Sequence, residues 1–263
     1  ITLEIARGCS RGCRFCQAGM VWRPVRERDP GVLIDMAARN LCSTGYDEIS
    51  LLSLSSGDYT FIEPLLSFLM DRYYGERVAL ALPSLRVETL TKKLMDDIRR
   101  VRKTSFTLAP EAGTQRLRNV INKGNTEEEL LKTVRGVFEA GWKAVKLYFM
   151  IGLPGETAED LEGITSLAHK VLREGRHRAQ VTVSLSTFVP KPHTPLQWSR
   201  QITMAETMEK HDYFRQAIRN RNISVKWHDS RMSLLEGMLS RGDEQTGLLV
   251  EEAFRRGARF DGW

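Results

Sequence analysis

Three of the chain's four cysteines crowd into the stretch Arg7-Gly8-Cys9-Ser10-Arg11-Gly12-Cys13-Arg14-Phe15-Cys16. Pairing them as disulfides leaves one thiol over, and a reducing cytosol disfavours disulfides, so metal binding or redox chemistry is the better reading. Structural zinc takes four ligands, usually in two well-spaced pairs. No histidine precedes His169, so a fourth ligand here would have to be Cys42. An iron–sulfur cluster held by three thiolates differs in kind, because one iron keeps an open position for a substrate or cofactor. Cys42, far downstream, is expected to be a small buried hydrophobe on a helix.

The spacing Cys-x3-Cys-x2-Cys, with Phe15 just before the last cysteine, resembles the signature of the radical S-adenosylmethionine (SAM) superfamily. That resemblance implies a 4Fe-4S cluster on Cys9, Cys13 and Cys16, with the amino and carboxylate groups of SAM chelating the open iron. It also implies that an electron from the cluster cleaves SAM, and that the resulting 5′-deoxyadenosyl radical abstracts hydrogen from an unactivated position. Such chemistry belongs to the cofactor and not to any side chain.

Further segments are similar to motifs of that superfamily. Ser56-Gly57-Asp58 resembles the Gly-Gly-Glu-like turn that binds the SAM amino group; it reads equally as a tight turn with Asp58 as the N-cap of the next helix. Glu111, in Pro110-Glu111-Ala112-Gly113-Thr114, is placed by resemblance near the ribose hydroxyls or amino group of SAM, or it is a capping or ion-paired residue, with Arg118 as the candidate partner. The run Phe149-Met150-Ile151-Gly152-Leu153-Pro154-Gly155-Glu156-Thr157 is similar to a motif of methylthiotransferase-like members, implying adenine contacts from Ile151 and Gly152, although such a turn is also ordinary strand-to-helix chemistry. In Phe188-Val189-Pro190-Lys191-Pro192-His193-Thr194-Pro195, Val189 is expected to pack on adenine and His193 to be a solvated loop residue.

The elements that must position these residues are legible in the apolar pattern. Segments 1–5, 49–54, 78–82, 105–108, 145–151 and 181–187 are short and rich in Val, Ile, Leu or aromatic residues, and read as strands. Between them lie helix signals: Asp29-Pro30 before a face of Leu33, Met36, Ala37, Asn40 and Leu41, and capping boxes at Thr126/Glu129 and Thr157/Asp160. Strand–helix alternation at this spacing predicts an α/β fold with a parallel sheet and right-handed crossovers. The resemblance makes this a partial six-stranded parallel (β/α)6 barrel spanning residues 1–198, with the cysteine loop at the end of the first strand, where barrels place their reacting groups. Residues 199–263 read as a mainly helical C-terminal extension: a helix over 203–221, a strand over 223–227, and helical stretches ending near 257.

At 263 residues, 41% hydrophobic and 27% charged, the chain has the composition of a globular protein. No stretch is long and apolar enough to span a membrane, and a cytoplasmic setting is expected. The start without Met suggests a piece of a larger protein. The net charge of +6 is compatible with an anionic partner without demanding one. Arg7, Arg11, Arg14, Arg23, Arg26 and Arg28 cluster about the cysteines, while the five tryptophans are dispersed and offer no stacking platform.

Segments 52–59 and 109–114, with the tail from Leu234-Leu235-Glu236-Gly237 onward, resemble a narrower group of radical SAM proteins related to the methylthiotransferase-like branch. Its members carry an upstream cobalamin-binding-like domain, so cobalamin is an implied possibility. The implied electron donor is of flavodoxin or ferredoxin type. RNA or a ribosomal component is the favoured substrate class, with methylation or methylthiolation the favoured reactions. The alternatives are a small-molecule or peptide substrate, or a non-catalytic zinc or iron–sulfur module.

Overall fold

The computed structural model of the chain describes residues 1–82, 93, 106–176 and 179–259. The strands are β1 (Thr2–Glu4), β2 (Ala6–Arg7), β3 (Arg26–Glu27), β4 (Glu48–Leu52), β5 (Ala79–Ala81), β6 (Phe106–Glu111), β7 (Ala144–Ile151), β8 (Gln180–Thr187) and β9 (Ile223–Trp227). The helices are α1 (Gln17–Val21), α2 (Pro30–Thr44), α3 (Ile62–Tyr73), α4 (Gln115–Val120), α5 (Glu127–Glu139), α6 (Ala158–Glu174), α7 (Met204–Ala217), α8 (Ser230–Arg241) and α9 (Thr246–Arg255).

Two parallel sheets carry the fold, ordered β1-β4-β5 and β6-β7-β8-β9. A single apolar cluster runs through both, from Leu3, Ile49 and Leu51 to Leu108, Leu147, Phe149, Val183 and Leu185. The fold is α/β, a partial barrel of parallel strands with helices packed outside. Period-two burial shows how each strand is held: in β7, Val145, Leu147, Phe149 and Ile151 are buried, while Lys146, Tyr148 and Met150 are only partly so. The helices answer at their own period, α5 burying Leu130, Val134 and Val137, and α6 burying Leu161, Ile164, Leu167, Ala168 and Val171. Both expected capping boxes form, and Thr203/Glu206 adds a third at the start of α7.

The structure departs from expectation at identifiable places. Cys42 is exposed, not buried, because α2 turns Leu33, Ala37 and Leu41 into the core and the next position falls off that face. Asp58 does not cap the following helix: α3 starts at Ile62 with Phe61 at its N-cap and no side-chain cap bond. The helix expected over 203–221 stops at Ala217, where Ile218 goes extended so that the chain can enter β9. Sheet pairing crosses residue 198, since β9 lies parallel to β8 from Val181↔Ile223 to Leu185↔Trp227. Ser105, at the start of one expected strand, and the terminal residues 260–263 lie outside the described residues. No helix among the described residues is long and apolar enough to cross a membrane.

The α7–β9 junction makes a pH prediction. His211 is buried and stacks on Trp227, with ring centroids 4.5 Å apart. Burial, then the Arg215 charge, lower its pKa from the usual 6.5, with Asp212 opposing. The folded state therefore binds this proton less readily than the unfolded chain, so His211's contribution is complete above pH 6.5 and shrinks as the pH falls below it. Melting temperature is expected to fall between pH 7 and 5 more steeply in the natural protein than in His211→Phe.

Candidate functional site

The cysteine loop is an excursion between two short strands. β2 and β3 pair antiparallel, Ala6 against Glu27 and Arg7 against Arg26, and close the base of residues 8–25. Gly8 sits at φ +91°, and a Cβ there would lie 2.8 Å from the Pro24 carbonyl oxygen, so only glycine lets the loop leave β2. Within the loop, the Arg11 amide donates to Cys9 Sγ at 3.5 Å, and the Cys16 amide to the Cys13 carbonyl at 3.1 Å. Cys16 is the N-cap of α1, its sulfur accepting the Gly19 amide at 3.4 Å. Cys13 is buried, Cys9 and Cys16 are half-buried, and none is in a disulfide. Burial pushes the Cys16 thiol up; the Gly19 amide opposes this, and the neighbouring Cys13 and Cys9 reinforce it.

The other expected residues reach the loop by different routes. Asp58 pairs with Arg11, whose Nε donates at 2.7 Å, and thereby ties the turn after β4 to the cysteines. Ser56 is buried, its hydroxyl donating to the Leu51 carbonyl at 3.2 Å, and Gly57 completes the same 3-10 turn. Glu111 ends β6 in the left-handed region at φ +68°, a conformation that non-glycine residues seldom hold without a functional or packing reason. Its carboxylate accepts from Lys123 Nζ at 3.1 Å. The proposed Arg118 partnership is thus corrected: Arg118, itself buried, donates to the Ala112 carbonyl at 2.9 Å.

Phe15 and Val189 line one cavity of about 530 Å³ together with Met150, Lys191, His228 and Met232. Ile151 is fully buried in the core cluster, one step of strand alternation away from Met150. Gly152 lines a separate cavity of about 580 Å³ beside Glu156, Arg200 and Lys210. Its amide donates to both Glu156 carboxylate oxygens, at 3.0 and 2.9 Å, and Glu156 also pairs with Lys210 at 2.7 Å. His193 is exposed, as expected. Much of the arginine cluster serves the fold: Arg7 binds Glu4, Arg14 the Val120 carbonyl, and Arg23 the Gly19 carbonyl.

Met150, His228, Met232 and Lys123 escaped the sequence reading. A signal for His228 existed, because it directly follows a strand parallel to the barrel strands, and strand C-terminal ends are where such folds place their sites. Lys191, after β8, pairs with Glu236 of α8, and Gln201 Nε2 donates to the Ser233 carbonyl at 2.7 Å; these contacts pin α8 against the cavity.

The sequence model of the radical SAM superfamily matches residues 3–168. The chain belongs to the radical SAM superfamily. An uncharacterised protein of Methanocaldococcus jannaschii is 35% identical over 243 residues, which cover 92% of this chain and 52% of that one. A tRNA-2-methylthio-N(6)-dimethylallyladenosine synthase of Desulforamulus reducens is 28% identical over 181 residues, covering 64% of this chain and 39% of that enzyme. The chain thus spans about half or less of the length of these relatives. Among solved structures, a radical SAM methyltransferase from Kitasatospora setae, with cobalamin and a [4Fe-4S] cluster bound, aligns with a TM-score of 0.59 at 16% identity over 74% of this chain and 38% of that one, a likeness of fold.

Radical SAM proteins are enzymes that use a 4Fe-4S cluster and SAM. Cys9, Cys13 and Cys16, three thiols on one loop and none in a disulfide, are a donor set whose chemistry fits such a cluster.

Proposed function

We propose that this radical SAM protein holds a 4Fe-4S cluster on Cys9, Cys13 and Cys16, and SAM beside it, with Phe15 and Val189 against the adenine. When bound, the cluster supplies the electron that cleaves SAM to a 5′-deoxyadenosyl radical. The observation that carries this reading is the cysteine loop lying beside a cavity that Phe15, from inside the loop, shares with Val189 from the segment after β8. Ser56, Asp58 and Glu111, with the backbone of Gly57, are proposed to face the amino acid and ribose ends of SAM. Ile151 and Gly152 support the adenine side through the backbone turn after β7.

In this reading residues 1–198 form the core that carries the thiols, and the 199–263 extension contributes His228 and Met232 to the cavity wall. A flavodoxin or ferredoxin type protein supplies the electron, and a reducing cytoplasm keeps the thiols available. RNA or a ribosomal component is the proposed substrate class and methylation or methylthiolation the proposed outcome, supported by similarity to the tRNA-modifying relative. Cobalamin use is supported by fold likeness to the cobalamin-bound methyltransferase.

The test is anaerobic reconstitution followed by incubation with reductant and SAM. 5′-Deoxyadenosine is expected; S-adenosylhomocysteine appearing with it marks methyl transfer. Phe15→Ala is expected to weaken SAM binding about tenfold while leaving iron content unchanged, the effect of removing one half-buried aromatic ring from the proposed adenine contact. Reconstituted protein that binds no SAM sinks the proposal.

A further inference from the structure

The cysteine loop follows β2, yet several of its anchors come from the chain after β6. α4 ends at Val120, and the chain then turns through Ile121 and Asn122, with Asn122 in the left-handed region at φ +54°. Four hydrogen bonds link this segment to the loop. The Arg14 amide donates to the Ile121 carbonyl at 2.9 Å, and Arg14 Nη1 donates to the Val120 carbonyl at 2.7 Å. The Asn122 carboxamide, through Nδ2, donates to the Gly12 carbonyl at 2.9 Å and the Arg11 carbonyl at 3.4 Å. The last pair lies between Cys9 and Cys13, where Gly12 has φ +69° and a Cβ would approach Asn122 Nδ2 to 3.3 Å.

We infer that Asn122 is a positioning residue that fixes the cysteine loop by donating to two successive loop carbonyls. The inference rests on the proposed role of Cys9, Cys13 and Cys16, but the geometry is a property of the chain itself. A carbonyl that accepts a hydrogen bond polarises its own peptide, so the bond at Gly12 strengthens the Cys13 amide as a donor beside the thiols. Asparagine suits the place twice, since it tolerates left-handed backbone and carries two N–H donors. No carboxylate can replace it, because an aspartate in its place would set acceptors against acceptors.

Asn122→Gly keeps the backbone conformation and deletes only the carboxamide. In the cluster-free protein, Cys13 is expected to react with a thiol-alkylating reagent about tenfold faster than in the natural protein, because losing the Asn122 hydrogen bonds makes local opening of the loop easier, while exposed Cys42 reacts at the same rate in both. In the reconstituted protein, chelator-driven iron loss is expected to accelerate by about the same factor. Asn122→Asp should match or exceed the glycine variant in both readouts. Cys13 labelling that is equal in Asn122→Gly and the natural protein overturns the inference, whatever the cluster does. A natural protein that takes up no iron instead overturns the cofactor reading, and the labelling result still decides the role of Asn122.

Discussion

Alanine in place of Cys9, Cys13 or Cys16 is expected to abolish the proposed cluster incorporation and 5′-deoxyadenosine formation, whereas Cys42→Ala is expected to retain both. A change in the outer shell of a metal site costs about 10- to 100-fold in affinity or activity, so losing a ligand itself costs more than about 100-fold. The three thiols are not interchangeable in their surroundings. Cys13 is buried, Cys9 accepts an amide two residues on, and Cys16 opens a helix. Their losses should nonetheless be equal, because a three-thiolate site has no spare ligand. Iron and sulfide analysis after anaerobic reconstitution, with chromatographic product detection, checks the prediction. If Cys42→Ala loses metal as completely as the others, the site uses four thiols and the open-iron chemistry is gone. The structure argues against that outcome, since Cys42 lies exposed on α2.

The parts of this site that sequence revealed are those written in local chemistry. Thr126/Glu129 and Thr157/Asp160 cap their helices as spelled, because a capping box needs only four consecutive residues. The alternation in β7 and the helical period in α5 likewise survive folding, since each lies within one element. Cys42 is exposed where its residue type suggests burial, and its own helix holds the reason: Leu33, Ala37 and Leu41 recur at intervals of four, and the residue after Leu41 is rotated off their face. Asp58 shows a different limit. A helix start lay close downstream, but a guanidinium brought from Arg11 was a stronger partner for its carboxylate than free amides. Glu111 reaches Lys123 across α4, Asn122 reaches Gly12 from far along the chain, and His228 and Phe15 come to line one cavity only through the tertiary fold, which no local pattern records. Strand alternation separates Met150 from Ile151, two adjacent residues of one motif, of which the first lines a cavity and the second is buried in the core.

Gly113→Ala should be among the most destabilising single-methyl additions in the described structure, at about 3 kcal/mol. A Cβ on Gly113 would stand 2.7 Å from the carbonyl carbon of Gly163, with other backbone atoms of α6 nearer still. Backbone cannot rotate away as a flexible side chain does, so the turn after β6 and the start of α6 must separate. Their separation would strain a network centred on Asp160, whose buried carboxylate accepts the Thr157 amide at 2.8 Å, binds Thr114, and pairs with Arg116. Burial opposes its charge, but the bonds from Thr114, Thr157 and Arg116 together hold its pKa below the usual 3.8. The stability it contributes is therefore complete above that value and lost only as the pH falls through the lowered one. At neutral pH the network is intact and resists the separation, so the methyl group's cost appears in full. For a chain of this size it should lower the melting temperature by about 10 °C. Gly247→Ala supplies the control: this glycine lies in α9 with nothing within 4 Å of the added methyl, and the substitution should stabilise by about 0.5 to 1 kcal/mol through helix propensity. Urea unfolding of both variants distinguishes the cases. A Gly113→Ala protein as stable as the natural one would mean that the turn yields freely and that Asp160 alone, without the glycine pair, joins β6 to α6.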